Sequence, residues 1–144
     1  MAGMASTLEA RISKTNTFKS AGERKIAEVL DRYGISYKYE SALLVQDDQN
    51  KPRLWYPDFY LPTFGVYVEY YGFKGSPDYD SLRMKKEQVY RSMGLQVVPV
   101  DPSVPQHKLD SYLFNEIYRF QRKRFQEIKS NIYALRTGTR STYR

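Results

Sequence analysis

Two runs of alternating residues, Trp55–Leu61 and Val66–Tyr71, are separated by Pro62-Thr63-Phe64-Gly65, and no other feature restricts the fold of this chain as tightly. Four residues form an allowed connection for an antiparallel hairpin, and proline with glycine supplies the turn. With residues 62 to 65 as the loop, Leu61 faces Val66, Phe59 faces Val68 and Asp58 stands directly opposite Glu69. Side chains alternate across a sheet, so Phe59, Leu61, Val66 and Val68 make an apolar face for the core. The other face gathers Asp58 and Glu69 with Tyr56, Tyr60, Tyr67 and Tyr71. Directly opposed Cβ atoms lie about 4.5–5.5 Å apart, where like charges repel. If both carboxylates face water, screening weakens that repulsion and the pair means little. Under a cover of tyrosines, one carboxyl must hold a proton or the pair must share a cation. Two hard oxygen ligands at this spacing suit magnesium, which keeps several waters and takes one or two carboxylates.

The segments around the hairpin predict an α/β fold. Ser20 with Glu23 three residues later opens a helix, Ile26, Leu30 and Tyr33 recur on one face, and Gly34 stops it. Ile35–Glu40 alternates as a strand continuing towards Val45, followed by the polar connection Gln46–Pro52. After a loop over Gly72–Pro77, a helix over Asp78–Met93 ends at Gly94, and Leu95–Val100 reads as a buried strand. A long helix runs from about Lys108 to Arg136. The expected order is helix, three strands, helix, strand, helix. The organisation reads as an arm (1–19), a core (20–107), the long basic helix (108–136) and a polar basic tail (137–144).

Two charged residues stand where a solvated helix face would not put them. Glu23 falls on the shoulder of the stripe of Ile26, Ala27 and Leu30, so it can point inward. On the second helix, Leu82, Val89 and Met93 define the expected buried stripe, and Lys86 sits about 40° from Leu82 towards Tyr90. Such a lysine either snorkels its amine outward or is held towards the sheet, where it can meet the carboxylates.

Composition narrows the chemistry. The 144 residues include no cysteine and one histidine, His107, which removes thiolate chemistry, cysteine-ligated metals and histidine clusters. Reaction chemistry falls to carboxylates, lysine, tyrosine and hydroxyls. No apolar stretch is long enough to cross a bilayer and Met1–Asn16 lacks a signal-like apolar centre, so the expectation is a soluble, cytoplasmic or nucleoid-associated protein without a membrane partner. The net charge of +7 is concentrated: Arg119–Arg144 holds eight basic residues against Glu127, leaving 15 of each sign before it. Phe120, Phe125, Tyr133 and Tyr143 interleave with Arg119, Arg122, Lys123, Arg124, Lys129, Arg136 and Arg140, a pattern suited to a nucleic acid, although a basic run is also often a solvated face. The apolar stripe Leu113, Ile117, Phe120 is broken at Arg124 before Ile128 and Ile132 resume, so the helix can pack on the body first and on a partner afterwards, as in a homodimer.

The hairpin residues Tyr56-Pro57-Asp58-Phe59-Tyr60-Leu61-Pro62 and Val66-Tyr67-Val68-Glu69-Tyr70-Tyr71-Gly72 resemble the signature of the PD-(D/E)XK nuclease superfamily. The likeness extends back to Gly22-Glu23 and forward through Tyr79, Lys86, Tyr90 and Gly94 to Val97–Val100, about residues 20 to 100. It looks closest to nuclease domains of some helicases, and is similar in layout to Holliday-junction resolvases and very-short-patch repair nucleases. The resemblance implies a restriction-endonuclease-like mixed sheet of about four strands flanked by helices. It also implies hydrolysis of DNA phosphodiesters with magnesium, or manganese in its place. Asp58, Glu69 and the carbonyl of Tyr70 would hold the metal, and Glu23 would assist through a water or a second ion. The superfamily's usual lysine would fall at Tyr71, which cannot supply a cation. Lys86 matches a lysine recovered from the following helix, with Lys85 and Lys74 as alternatives, and Lys74 joins the basic residues that would contact nucleic acid. Tyr71 and Tyr67 would position water or pack on a nucleotide. A structure-selective endonuclease for junctions, flaps or nicks is the leading expectation, with RNA left open as substrate. A catalytically inactive nucleic-acid-binding protein and an assembly subunit are the alternatives.

Overall fold

The structure is a computed structural model describing residues 18–73 and 75–138. Helix α1 (Ala21–Arg32) precedes β1 (Lys38–Tyr39), β2 (Leu43–Gln46), β3 (Pro52–Trp55), β4 (Phe59–Leu61) and β5 (Val66–Tyr70). Helix α2 (Pro77–Ser92), β6 (Val97–Val100), a 3-10 turn (Gln106–Lys108) and α3 (Leu109–Thr137) complete the described chain. The fold is mixed α/β. A four-stranded sheet of order β1-β4-β5-β6 is antiparallel except between β5 and β6, and β2 pairs with β3 in a separate ribbon.

The strand pattern departs from expectation at two places. Glu40 takes a positive φ of 48°, which ends β1 after two residues and sends β2 out of the main sheet into the ribbon. The expected strand Trp55–Leu61 is likewise two strands, because the chain leaves the ladder over Tyr56, Pro57 and Asp58. Proline has no N–H for a ladder bond, and Pro57 is instead fully buried at the crossing between ribbon and sheet. Beyond this break the hairpin register is the expected one, with Phe59 opposite Val68, Tyr60 opposite Tyr67 and Leu61 opposite Val66.

Phe59, Leu61, Val66 and Val68 are fully buried and pack with Ile26 and Leu30 of α1 and Leu113 and Ile117 of α3. Burying each such side chain contributes roughly 1.5–3 kcal/mol, so this face is the core. Tyr33, expected on the buried stripe, is instead largely exposed, packing edge-on against Phe114 and donating to Asp110 at 2.9 Å. Gly34 closes α1 with φ of 67°, and the Ile35 N–H reaches back to the Leu30 carbonyl at 2.8 Å.

Helix α2 joins the parallel strands β5 and β6 and covers the opposite face of the sheet. Its inward residues are not the expected stripe. Leu82 is 66% exposed and Met93 is exposed, whereas Val89 and Tyr90 are buried and Arg83 and Lys86 turn towards the sheet. Trp55 of the ribbon meets Tyr90 edge-on at 5.5 Å, and Arg83 ties α2 to the end of β6 through Asp101 at 3.1 Å. Pro99 is tolerated in β6 because β6 is an edge strand. Past Gln121 almost every residue of α3 is exposed, so the helix projects from the body. Among the described residues no helix is long and apolar enough to cross a membrane.

Candidate active site

Asp58 and Glu69 meet, but not as a ladder pair. Asp58 lies one residue before β4, and its Oδ2 accepts the Tyr70 N–H at 2.6 Å. Its own N–H donates to Glu69 Oε2 at 3.3 Å. Each carboxylate is therefore held by the other's strand through a backbone donor. The departure from the ladder at Pro57 leaves the Asp58 side chain able to reach back over β5.

Burial and the neighbouring Glu69 charge push the Asp58 carboxyl up to about 7, against the Tyr70 N–H and the Lys86 ammonium, which both favour its ionised form. Glu69 is buried, and desolvation raises it too, opposed by Lys86. Lys86 donates to Glu69 Oε1, and the Tyr90 hydroxyl lies 3.4 Å from Glu69 Oε2. A crossover helix lies over the strands that it joins, which explains how a residue 17 positions after Glu69 reaches it. Lys85 remains exposed, and Lys74 lies outside the described residues.

Tyr71 follows the last residue of β5, beside this cluster, and is buried beneath α2. The Arg83 guanidinium lies 4.3 Å from its ring centroid, and among the described residues its hydroxyl has no hydrogen-bond partner. Burial pushes that hydroxyl well above the ordinary tyrosine range. Tyr71 is thus packed under Arg83 rather than turned to solvent with Tyr56. Tyr67 pairs with Tyr60 at 4.7 Å between ring centroids.

Glu23 points inward from the first turn of α1. Its N–H is capped by Ser20 Oγ at 3.1 Å, and its Oε2 accepts from the Lys19 N–H at 3.1 Å and the Tyr39 hydroxyl at 2.6 Å. Its charge acts on Asp58, raising the pKa of that carboxyl. The approach of α1 to β5 depends on Gly22, because a Cβ there would stand 2.0 Å from Tyr70 Cζ. Tyr70 contributes its N–H to Asp58 and its ring to this contact.

Tyr39, Arg83 and Tyr90 were not assigned to the site from the sequence. Tyr90 stands four residues after Lys86 on one helical face and could have been found by that spacing. Tyr39 gave no comparable signal, because its position depends on the short pairing of β1 with β4.

Two grooves adjoin the cluster. One of ≈ 540 Å³ lies between the ribbon and α2, lined by Trp55, Tyr56, Leu82, Lys85 and Lys86. Another of ≈ 650 Å³ runs from Tyr71 and Tyr90 past Arg91 to Arg119 and Lys123. Arg122, Arg124, Lys129 and Arg136 are exposed along α3, and Arg140 lies outside the described residues. Among the described residues, no group of three or more histidine, aspartate or glutamate side chains is arranged to hold a metal ion; Asp58 and Glu69 are joined through the Asp58 backbone N–H, which donates to the Glu69 carboxylate. No family model matches the sequence, and no curated protein matches it either.

Proposed function

We propose that this chain is a magnesium-dependent endonuclease of the PD-(D/E)XK type with a restriction-endonuclease-like fold, cleaving DNA at structured sites such as junctions, flaps or nicks. The observation that carries this reading is the meeting of Asp58, Glu69 and Lys86, two carboxylates on the central hairpin with an ammonium from the next helix. The order of helix, antiparallel hairpin, crossover helix and parallel strand supports it.

The donor set fits a hard divalent ion. Asp58 and Glu69 offer oxygen atoms in a partly dry setting where their mutual repulsion disfavours two bare charges. Magnesium or manganese bound there would lower the pKa of a coordinated water and neutralise charge on the phosphate. Asp58 and Glu69 would hold the ion, with the Tyr70 carbonyl as a further donor. Glu23, fixed by Tyr39 and the Lys19 N–H, stands close enough to act electrostatically on Asp58, and would assist the ion through a water or a second metal. Lys86 holds Glu69 in place and is the ammonium that would turn to a phosphate oxygen. Tyr71 takes a packing role that fixes Arg83 and the inner face of α2. Lys85, Arg91, Arg119 and Lys123 line the two adjoining grooves, where they would contact the DNA backbone without reading sequence.

The test is a cleavage panel of duplex, single strand, flap, four-way junction and RNA with magnesium or manganese. Wild type is expected to cut a structured DNA, while Asp58→Asn and Lys86→Ala lose at least about a hundredfold in rate, the scale of removing one charge-stabilising group. Tight binding without cleavage under either metal would instead support a silent binding protein, a reading favoured by Tyr71 in the strand position where a lysine was expected.

A further inference from the structure

The projecting half of α3 carries a second pattern, separate from the carboxylate cluster. Phe125, Ile128, Ile132 and Leu135 are 69%, 48%, 47% and 83% exposed. Their spacing is three, four and three residues, and stepping back by the same rule reaches Gln121 and the exposed Tyr118. That is the a/d repeat of a coiled-coil seam, sustained for about two and a half heptads. The core-facing residues Leu109, Leu113 and Ile117 belong to a different stripe; the body touches the seam at Gln121, whose side-chain amide donates to the Phe64 carbonyl at 2.8 Å, and among the described residues the seam from Phe125 to Leu135 stays exposed. At its near end the seam borders a groove of ≈ 760 Å³ beside the hairpin loop, lined by Tyr60, Pro62, Phe64, Tyr118 and Phe125.

The flanks of the seam decide its occupant. In heptad terms the e positions are Arg122, Lys129 and Arg136, and the g positions include Arg124 and Asn131. Neither flank holds an acid between Tyr118 and Thr137; Glu127, the one acid in that stretch, lies away from the seam at c. A second copy in parallel would set Arg124 against Lys129 of its partner. An antiparallel copy would set Arg122, Lys129 and Arg136 against the same row. Both arrangements oppose like charges, which disfavours the homodimer suggested by the sequence. A phosphate backbone would satisfy the cations but leave Ile128, Ile132 and Leu135 in water. A bilayer surface rewards a wider apolar face than an a/d seam presents.

We infer that the seam on α3 docks an amphipathic helix of a different protein, apolar at a and d and acidic at its flanking positions. The helix would lie along Phe125–Leu135 with one end at the groove beside Pro62 and Phe64. This surface leaves Arg119 and Lys123 free for the groove that reaches the carboxylate cluster, so the inference stands whether or not the chain cleaves DNA.

The experiment titrates the full chain with two synthetic helical peptides sharing leucine at a and d, one with glutamate and one with lysine at e and g. The glutamate peptide is expected to bind, more weakly as salt rises, and to lose about tenfold or more in affinity against Ile128→Ser/Ile132→Ser, a change of about 1.4 kcal/mol. Both positions are exposed, so circular dichroism of that variant should match wild type. Arg122→Glu/Lys129→Glu should shift preference towards the lysine peptide. Equal binding of the two peptides would overturn the inference. So would a seam-dependent dimer of the chain alone in sedimentation, or binding to duplex DNA or phosphatidylserine vesicles that requires Ile128 and Ile132.

Discussion

Asp58 holds its proton to an unusually high pH, and the direction of that shift sets how the free protein responds to acid. Its folded value of about 7 lies above the ordinary 3.8, so the folded state binds the proton more tightly than the unfolded chain. The stability attached to it is complete below pH 3.8, declines as pH rises, and is gone once pH has passed about 7. Without metal, the melting temperature of wild type relative to Asp58→Asn should therefore fall between pH 4 and pH 8. A flat difference across that range would refute the assignment. Tyr71 offers a second residue-level test. A buried hydroxyl without a partner typically costs about 1–3 kcal/mol, so Tyr71→Phe should match or exceed wild type in thermal stability. Cleavage should survive the change if the ring under Arg83 is what matters. The sequence placed Lys86 on the side facing the sheet, but for the wrong reason. Of the expected stripe Leu82, Val89 and Met93 only Val89 is buried, and the inner face is completed by Tyr90 and Lys86, which meet Glu69, and by Arg83, which lies on the Tyr71 ring, polar groups that hydropathy assigns to solvent.

At the scale of elements, the contact between α1 and β5 is a steric fit around one missing side chain. Gly22→Ala should cost about 1–3 kcal/mol by overpacking, because its Cβ would overlap the Tyr70 ring. In a Tyr70→Ala background the same substitution should cost much less, and a double-mutant cycle read by denaturant melts measures the coupling. Additive effects would mean the two residues do not share that space. The three helices and the Phe59–Leu61 pairing were legible because capping, glycine stops and alternation are local signals. The ribbon was not. Its separation from the sheet hangs on Glu40 in a conformation that a glutamate seldom adopts and on Pro57 buried at a crossing, neither of which periodicity reports.

For the whole molecule, the charge asymmetry legible in the sequence coincides with a division in packing. The net-neutral first 118 residues include nearly all of the core, and the buried side chains of α3 end at Ile117. Ending the chain after Arg124 should leave the melting temperature within a few degrees, since exposed residues usually contribute within about 0.5 kcal/mol each. Leu113→Ala should cost about 2–5 kcal/mol. Similar losses from both changes would show that the projecting half supports the body. The way α2 is attached has a further consequence, for how the molecule opens. Of its 16 residues only Val89 and Tyr90 are buried, against five of 12 in α1, and much of its hold on the sheet is ionic, through Lys86 to Glu69 and Arg83 to Asp101. Its amides should exchange with deuterium through local openings well below the global unfolding free energy, and added salt should speed that exchange while leaving β5 unchanged. The lysine on which the proposed chemistry depends thus rides on a helix that is expected to open before the sheet beneath it does.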